Sequence, residues 1–213
     1  MLSSDFLITL NRTPQQFGNP INHGTRAQRA LAAKNNQNAD GKLDQALLVL
    51  NQQQKAAAGG TNVATVSTTF GRVYNATGGD ITYVTAHDWS GNVSGQYPVT
   101  IQNGQWAVFQ HVGTRGANRQ GSVAALVYNI EDFGDSMIAW NNPWKKARGG
   151  NNTAYCEMND PGYFDDCDWN EIYDKLMASG TESQTAMEGY ATKVSIDAGG
   201  NTLTYSATFY LDV

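Results

Sequence analysis

Tyr190-Ala191-Thr192-Lys193-Val194-Ser195-Ile196 and Thr202-Leu203-Thr204-Tyr205-Ser206-Ala207-Thr208-Phe209-Tyr210-Leu211 are two β-type runs joined through Gly199-Gly200-Asn201. That junction is a strong hairpin signal, because glycine and asparagine reach the backbone conformations a tight turn needs. Upstream the same alternation of short runs and turns recurs. Residues 63–75 alternate loosely, and Gly78-Gly79-Asp80 turns into a run over 81–86. The run 105–112 follows Asn103-Gly104. Runs 123–130 and 136–140 flank Asp132-Phe133-Gly134-Asp135, and 154–158 is a further short run. Short strands at such intervals predict a mainly β chain folded as a β-sandwich. One helix interrupts them. Asp168 is its expected cap, Glu171 completes an expected capping box, and Ile172, Tyr173, Leu176 and Met177 give the apolar face before Gly180 ends it.

Ahead of the strands the pattern is different. Residues 1–24 carry Pro14, Gly18 and Pro20 without periodicity and read as an extended arm. Thr25 caps an expected short helix over 26–34. Asp40 is the expected cap of a second, with Leu43, Ala46, Leu47 and Leu50 at i, i+3, i+4, i+7. Gly59-Gly60 stops it and a linker follows. The expected organisation is an N-terminal arm and helical hairpin over 1–60 and a sandwich domain over 61–213.

Composition narrows the function classes. Of the 213 residues 22 are glycine and only 15 % are charged, which suits strands and turns better than long charged helices. A net charge of -5 argues against nucleic-acid binding, which needs clustered cations. Lys145-Lys146 with Arg148 is too small a group to change that. No run approaches the roughly 18 apolar residues of a membrane-spanning helix. The first ten residues have Asp5 and no basic stretch before Phe6-Leu7-Ile8, so they do not read as a signal peptide and predict a protein cytoplasmic in the producing cell. Cys156 and Cys167 could pair, but two reduced thiols are the simpler reading. The N-x-S/T sequons at Asn11, Asn75, Asn92 and Asn151 read as turn chemistry in that setting.

Catalytic chemistry is scarce. His23, His87 and His111 lie far apart with no metal-ligand spacing, and neither a nucleophile elbow nor a phosphate loop is present. The expectation is a protein that is not an enzyme and needs no cofactor or metal. Asp160, Asp165, Asp166 and Asp168 form an acidic run, but they lack the spacing of a calcium loop and read as solvated. The helix holding Leu43 and Leu50 could lie on a membrane surface, although its polar face is poor in cations, so docking on the sandwich is the simpler expectation. Aromatic residues are the remaining signal. Trp106 and Trp140 lie in apolar runs and are expected in the core. Trp89, beside Ser90-Gly91-Asn92, and Trp144, before Lys145-Lys146, are expected at turns, where rings serve a membrane interface, a quaternary ammonium or a sugar.

Several stretches in order carry a resemblance: Val73-Tyr74-Asn75-Ala76-Thr77-Gly78, His87-Asp88-Trp89-Ser90-Gly91, Ile101-Gln102-Asn103-Gly104-Gln105-Trp106, Gly121-Ser122-Val123-Ala124-Ala125-Leu126-Val127-Tyr128, Ala139-Trp140-Asn141-Asn142-Pro143-Trp144, and residues 152–157. They resemble the plant jasmonate-induced protein family over roughly residues 60–180, a family associated with wounding and stress. The same order is similar, more distantly, to the actinoporins, β-sandwiches with flanking helices that hold lipid headgroups and form pores. That resemblance implies Ser90, Pro143, Trp144, Trp169 and Tyr173 as headgroup-binding residues, with Trp89 and Trp144 in contact with the membrane. The chain departs from the toxins at Asp174, where they carry a tyrosine, and at Lys145, Lys146 and Arg148, where they carry aromatics. The function so implied is a plant-type defence protein, with an insecticidal toxin as one form of it, that binds target membranes and forms pores or perturbs them, with a homo-oligomer on the membrane. The alternative is a non-lytic, lectin-like stress protein that takes a glycan through the same rings. Fungal fruit-body lectins resemble the same sandwich.

Overall fold

The computed structural model describes residues 15–59, 66–114, 121–144 and 151–212. Residues 1–14 of the expected arm, most of the expected linker, and Lys145, Lys146 and Arg148 lie outside the described residues. Among those described, the chain forms a two-sheet β-sandwich with three α-helices. Sheet one runs β1 (Gln15–Phe17), β6 (Trp106–Val112), β2 (Thr68–Ala76), β12 (Thr202–Leu211), β11 (Tyr190–Ile196) and β10 (Glu182–Met187), and β4 (Asn92–Val93) also pairs with β6. Sheet two runs β5 (Thr100–Ile101), β3 (Ile81–Ser90), β7 (Ser122–Ile130), β8 (Asp135–Asn142) and β9 (Thr153–Asn159). The hairpin that closes the chain is β11–β12, in antiparallel register with Ile196 opposite Tyr205. Strand β12 then lies parallel to β2, far away in sequence.

Helices cover the outer face of each sheet at its centre, so β7 and β8 are buried almost without interruption instead of alternating. Between the sheets, Phe109, Tyr205 and Phe209 of sheet one meet Leu126, Tyr128, Ile138 and Trp140 of sheet two. On the outer face of sheet one, Ala33, Ala46 and Leu50 of the helices cover Phe70, Tyr74, Trp106 and Val108. On the outer face of sheet two, Phe164, Ile172 and Leu176 cover Val123, Ala125, Val127, Met137 and Ala139. Trp106 and Trp140 are core residues, as their apolar runs led one to expect. Each large side chain buried this way stabilises the fold by roughly 1.5–3 kcal/mol.

The helices are α1 (Arg26–Asn35), α2 (Lys42–Gly59) and α3 (Trp169–Ala178). Thr25 caps α1 through a complete capping box with Gln28. Asp40 is not the cap of α2: it sits at φ 55 inside a short 3₁₀ turn, Ala39–Gly41. Instead Asn38 Oδ1 accepts the N–H groups of Leu43 at 3.0 Å and Asp44 at 3.3 Å, taking over the cap from outside the turn. At α3, Asp168 accepts the Asn170 N–H at 2.9 Å, but the expected capping box is not made. Glu171 turns to Lys175 at 3.0 Å. The start of α2 is pinned by Lys42, whose buried ammonium donates to Gly104 O at 2.6 Å and to Tyr74 Oη at 3.2 Å. Burial holds the Lys42 pKa below its ordinary value, despite the charge of Asp40.

Three strand readings needed revision. Part of the expected arm is β1, which pairs with β6 through Phe17 opposite Trp106. Strand β3 continues past residue 86 through His87, Asp88 and Trp89 to Ser90. The edge strand β10 alternates exposed and half-buried residues, and no apolar run announced it.

Candidate functional site

At one end of the sandwich β3 stops, β7 starts and β8 leaves, and α3 lies across the gap. Two glycines set this geometry. Gly91, at φ 95, turns the chain out of β3. Gly121 enters β7 so close to β8 that a Cβ there would lie 2.3 Å from Asn142 O and 2.7 Å from Pro143 Cα. Ser90 Oγ donates to Gly121 O at 2.6 Å and ties the two strands together. The result is a cleft of about 560 Å³. The sequence-derived candidates Ser90, Pro143, Trp144, Tyr173 and Trp89 all line it, together with Asn141 and Met177. None of the described lining residues is charged. Asp174 is exposed on α3 and is not among them.

Trp89 is not at a turn. It stands in β3, half-buried under α3, with its ring 5.5 Å from that of Tyr173 and 6.0 Å from that of Trp169. Trp169 does not line the cleft; it backs the wall by stacking on His87 at 4.7 Å and 7°. Burial lowers the His87 pKa, against the opposing charge of Asp88, so this ring is neutral at neutral pH. Helix α3 is held to β9 by polar contacts. Lys175 Nζ lies 3.1 Å from Glu157 Oε2, Tyr155 Oη donates to the same oxygen at 2.7 Å, and Asn159 Nδ2 donates to Oε1 at 2.9 Å.

Sequence reasoning missed Asn141. Only 3 % of it is exposed, and its Nδ2 has no hydrogen-bond partner. The indole Nε1 of Trp89 is likewise buried without an acceptor. Two N–H donors without acceptors among the described residues thus sit on residues lining one cleft, and a buried donor left unmatched costs stability. The available signal was Asn141-Asn142 placed directly after the apolar Ile138-Ala139-Trp140, polar residues continuing a buried strand.

Behind the cleft lies a serine–histidine–aspartate chain. His111 Nδ1 is 2.8 Å from Ser122 Oγ, and His111 Nε2 is 3.3 Å from Asp88 Oδ1. The second contact is close enough for an ion pair but too poorly aligned for a hydrogen bond, since Nε2 has no such partner. Ser122 Oγ donates to Thr69 Oγ1 at 2.8 Å and accepts from Trp140 Nε1 at 3.1 Å. Ser122 and His111 are both 0 % exposed. The chain ties sheet one to sheet two beneath the cleft floor.

Comparison with known proteins places the chain. The family described as Nakanori-like protein matches residues 3–210, and the chain belongs to that family. A 23 kDa jasmonate-induced protein of Hordeum vulgare is 35 % identical over 131 residues, which is 60 % of this chain and 62 % of the barley protein. The chain therefore matches less than two thirds of that relative's length. A jasmonate-induced protein homolog of Atriplex canescens is 31 % identical over 129 residues, covering 58 % of this chain and 68 % of that protein. The crystal structure of the lipid binding protein Nakanori superposes with a TM-score of 0.81 at 24 % identity, over 92 % of this chain and 100 % of Nakanori. At that identity the likeness establishes the fold.

Proposed function

We propose, taking membership of the Nakanori-like family as the premise, that this protein binds membrane lipid headgroups in the cleft between β3, β8 and α3. The observation that carries the reading is the pair of buried donors, Trp89 Nε1 and Asn141 Nδ2, without acceptors among the described residues, on two residues that line a ring-rich cleft. A phosphate or ester oxygen of a headgroup supplies the missing acceptors. Trp89 and Tyr173 offer ring faces to the rest of the headgroup. Trp144, at the rim with Met177, which is 46 % exposed, enters the interface. Ser90 and Pro143 shape the cleft, and Trp169 acts by bracing Trp89. Nakanori being a lipid binding protein supports the same reading.

The further steps are proposed on the same basis. The protein acts in plant-type defence, in keeping with its jasmonate-induced relatives, as a binding protein and not an enzyme. After docking, α2 leaves sheet one and associates with other copies on the target membrane, perturbing it. Two features favour α2 as the moving part: Leu48 on it is 58 % exposed, and one buried ammonium, Lys42, holds its start. No helix of the described residues is long and apolar enough to cross a membrane.

The test pairs vesicle sedimentation with dye release, using vesicles made with and without lipid extract of a target tissue such as insect gut. Wild type should sediment with the extract vesicles, and Trp144→Ala and Tyr173→Ala should stay in solution while melting at the wild-type temperature. Folded wild type that ignores every vesicle, or variants that bind undiminished, would overturn the cleft assignment. Binding without dye release would remove the lytic step alone.

A further inference from the structure

A second cleft, of about 300 Å³, lies at the opposite end of sheet two. It is walled by the β2–β3 turn with Gly78, Gly79 and Asp80, by Gln102 and Asn103 ahead of β6, by Glu131 after β7, and by Asn22 and Arg29 from the segment preceding α1 and from α1 itself. Strand β3 begins beside this cleft and ends at the first, so its ten residues separate them by roughly 30 Å.

The floor is closed chemistry. Asn103 is buried, and its Nδ2 donates to Ile21 O at 3.0 Å and to Arg29 O at 3.2 Å while Oδ1 accepts from Gly78 N at 2.9 Å. Gly79 leaves the room that Glu131 occupies: a Cβ there would lie 2.2 Å from Glu131 Oε2. That oxygen instead takes the Asp80 N–H at 3.3 Å and the Arg26 guanidinium at 3.1 Å.

The walls are open chemistry. Arg29 uses Nε on Gly78 O at 2.7 Å and Nη1 on Gly24 O at 2.8 Å, which leaves Nη2 without an acceptor among the described residues. The half-buried Asp80 carboxylate receives no donor among the described residues, and burial together with the charge of Glu131 holds its pKa above the usual range. The side-chain amides of Asn22 and Gln102 make no hydrogen bond among the described residues either. The lining carries both signs, Arg29 against Asp80 and Glu131, with Arg26 drawing on Glu131 and Asp132 from behind. An anion would meet the unshielded Asp80, and a cation would meet Arg29. Interleaved donors and acceptors of both signs match adjacent hydroxyls, each of which donates one hydrogen bond and accepts others.

We infer that this second cleft, distinct from the lipid cleft, takes a neutral pyranose, with Asp80 and Gln102 receiving its hydroxyl protons and Arg29 Nη2 donating to its oxygens. No lining residue is aromatic, so stacking is absent and the affinity for one sugar ring is on the order of millimolar. A bound sugar at this end leaves the lipid cleft free.

Saturation-transfer NMR on the full chain with a panel of neutral monosaccharides, including glucose, galactose, mannose and their N-acetylated forms, tests this. At least one sugar should give a transfer signal that falls at least fivefold in Asp80→Asn and Gln102→Ala and persists in Trp144→Ala and Tyr173→Ala. Amide shifts in wild type on titration, expected at Gly78–Asp80 and Gln102–Asn103, decide the matter even if a variant fails to fold. Silence across the panel, or loss in the Trp144 and Tyr173 variants with Asp80→Asn unaffected, would overturn it. In a competition arm, glycans tethered at their reducing ends compete if the ligand is a glycan terminus and do not if it is a free monosaccharide; either result keeps the site. Failure here leaves vesicle binding untouched, so the two assignments fall separately.

Discussion

Replacing Trp89 by phenylalanine separates the cost of an unmatched donor from its use. The buried Nε1 lacks an acceptor among the described residues, which costs roughly 1–3 kcal/mol. Trp89→Phe removes that cost. It also trims the ring that packs on Tyr173 at 5.5 Å and Trp169 at 6.0 Å, a packing loss of about 1–2 kcal/mol. The two effects oppose each other, so urea denaturation should find the variant within about 1 kcal/mol of wild type. Binding is not compensated. A hydrogen bond to a charged headgroup oxygen contributes about 1.5–3 kcal/mol, so the Kd for extract vesicles in a sedimentation titration should rise roughly 10- to 150-fold. Vesicle affinity unchanged within about twofold, alongside a loss of 3 kcal/mol or more in stability, would refute the reasoning. Trp89 would then be a core residue whose N–H never meets lipid.

Three further outcomes follow from the same contacts. Gln54 Nε2 reaches Thr204 Oγ1 at 3.4 Å, so Gln54→Cys and Thr204→Cys joined by a short bis-maleimide should hold α2 on sheet one. Sedimentation with vesicles should survive and dye release should cease; release at the wild-type rate would exclude movement of α2. A cross-link tests this better than deleting residues 1–59, which would bare Phe70, Tyr74 and Trp106. Burial raises the Glu157 pKa, but hydrogen bonds from Tyr155, Lys175 and Asn159 outweigh it and hold the value below 4.5. A folded-state pKa below the unfolded one gives stability that is present above about pH 4.5 and lost as pH falls through the folded value. Glu157→Gln should therefore cost about 1–2 kcal/mol at pH 7 and almost nothing near pH 2; a gap independent of pH would contradict the network. Burial pushes the Cys156 thiol up to about 11, and Cys167 is half-buried with its pKa also raised by burial. A thiol reagent should find two thiols after denaturation and in the native protein only a slow reaction, at Cys167; no thiols after denaturation would mean a disulfide.

What could be read in the sequence was whatever depends on neighbours along the chain. Gly199-Gly200-Asn201 joins β11 to β12, and the Thr25–Gln28 capping box forms as local spacing required. What could not be read depends on contacts made by folding. The parallel pairing of β12 with β2 joins residues more than a hundred positions apart, and no local pattern encodes it. Strand β10 is an edge strand exposed along one face, so Glu182, Gln184 and Ala186 carry no apolar rhythm. Strand β3 runs on through His87, Asp88 and Trp89 because α3 and sheet one supply their partners. Asp40 lost its capping role because at φ 55 it lacks the extended backbone of a cap residue, and Asn38 takes the first N–H groups instead. Four headgroup candidates came together at one cleft because the resemblance fixed their order along strands that converge. Trp169 was displaced to its back wall, and Asn141 was hidden, because burial and not residue type made its donor unusual.

Photo-cross-linking in vesicles tests the central claim most directly. Vesicles carrying a phospholipid with a photoactivatable group near its headgroup would be irradiated with bound protein, and the labelled peptides identified after digestion. The account predicts label on the peptides holding Trp89–Gly91, Asn141–Trp144 and Asn170–Met177. Label concentrated on α1, on β10, or around Asp80 and Gln102, with those three peptides clean, would contradict it.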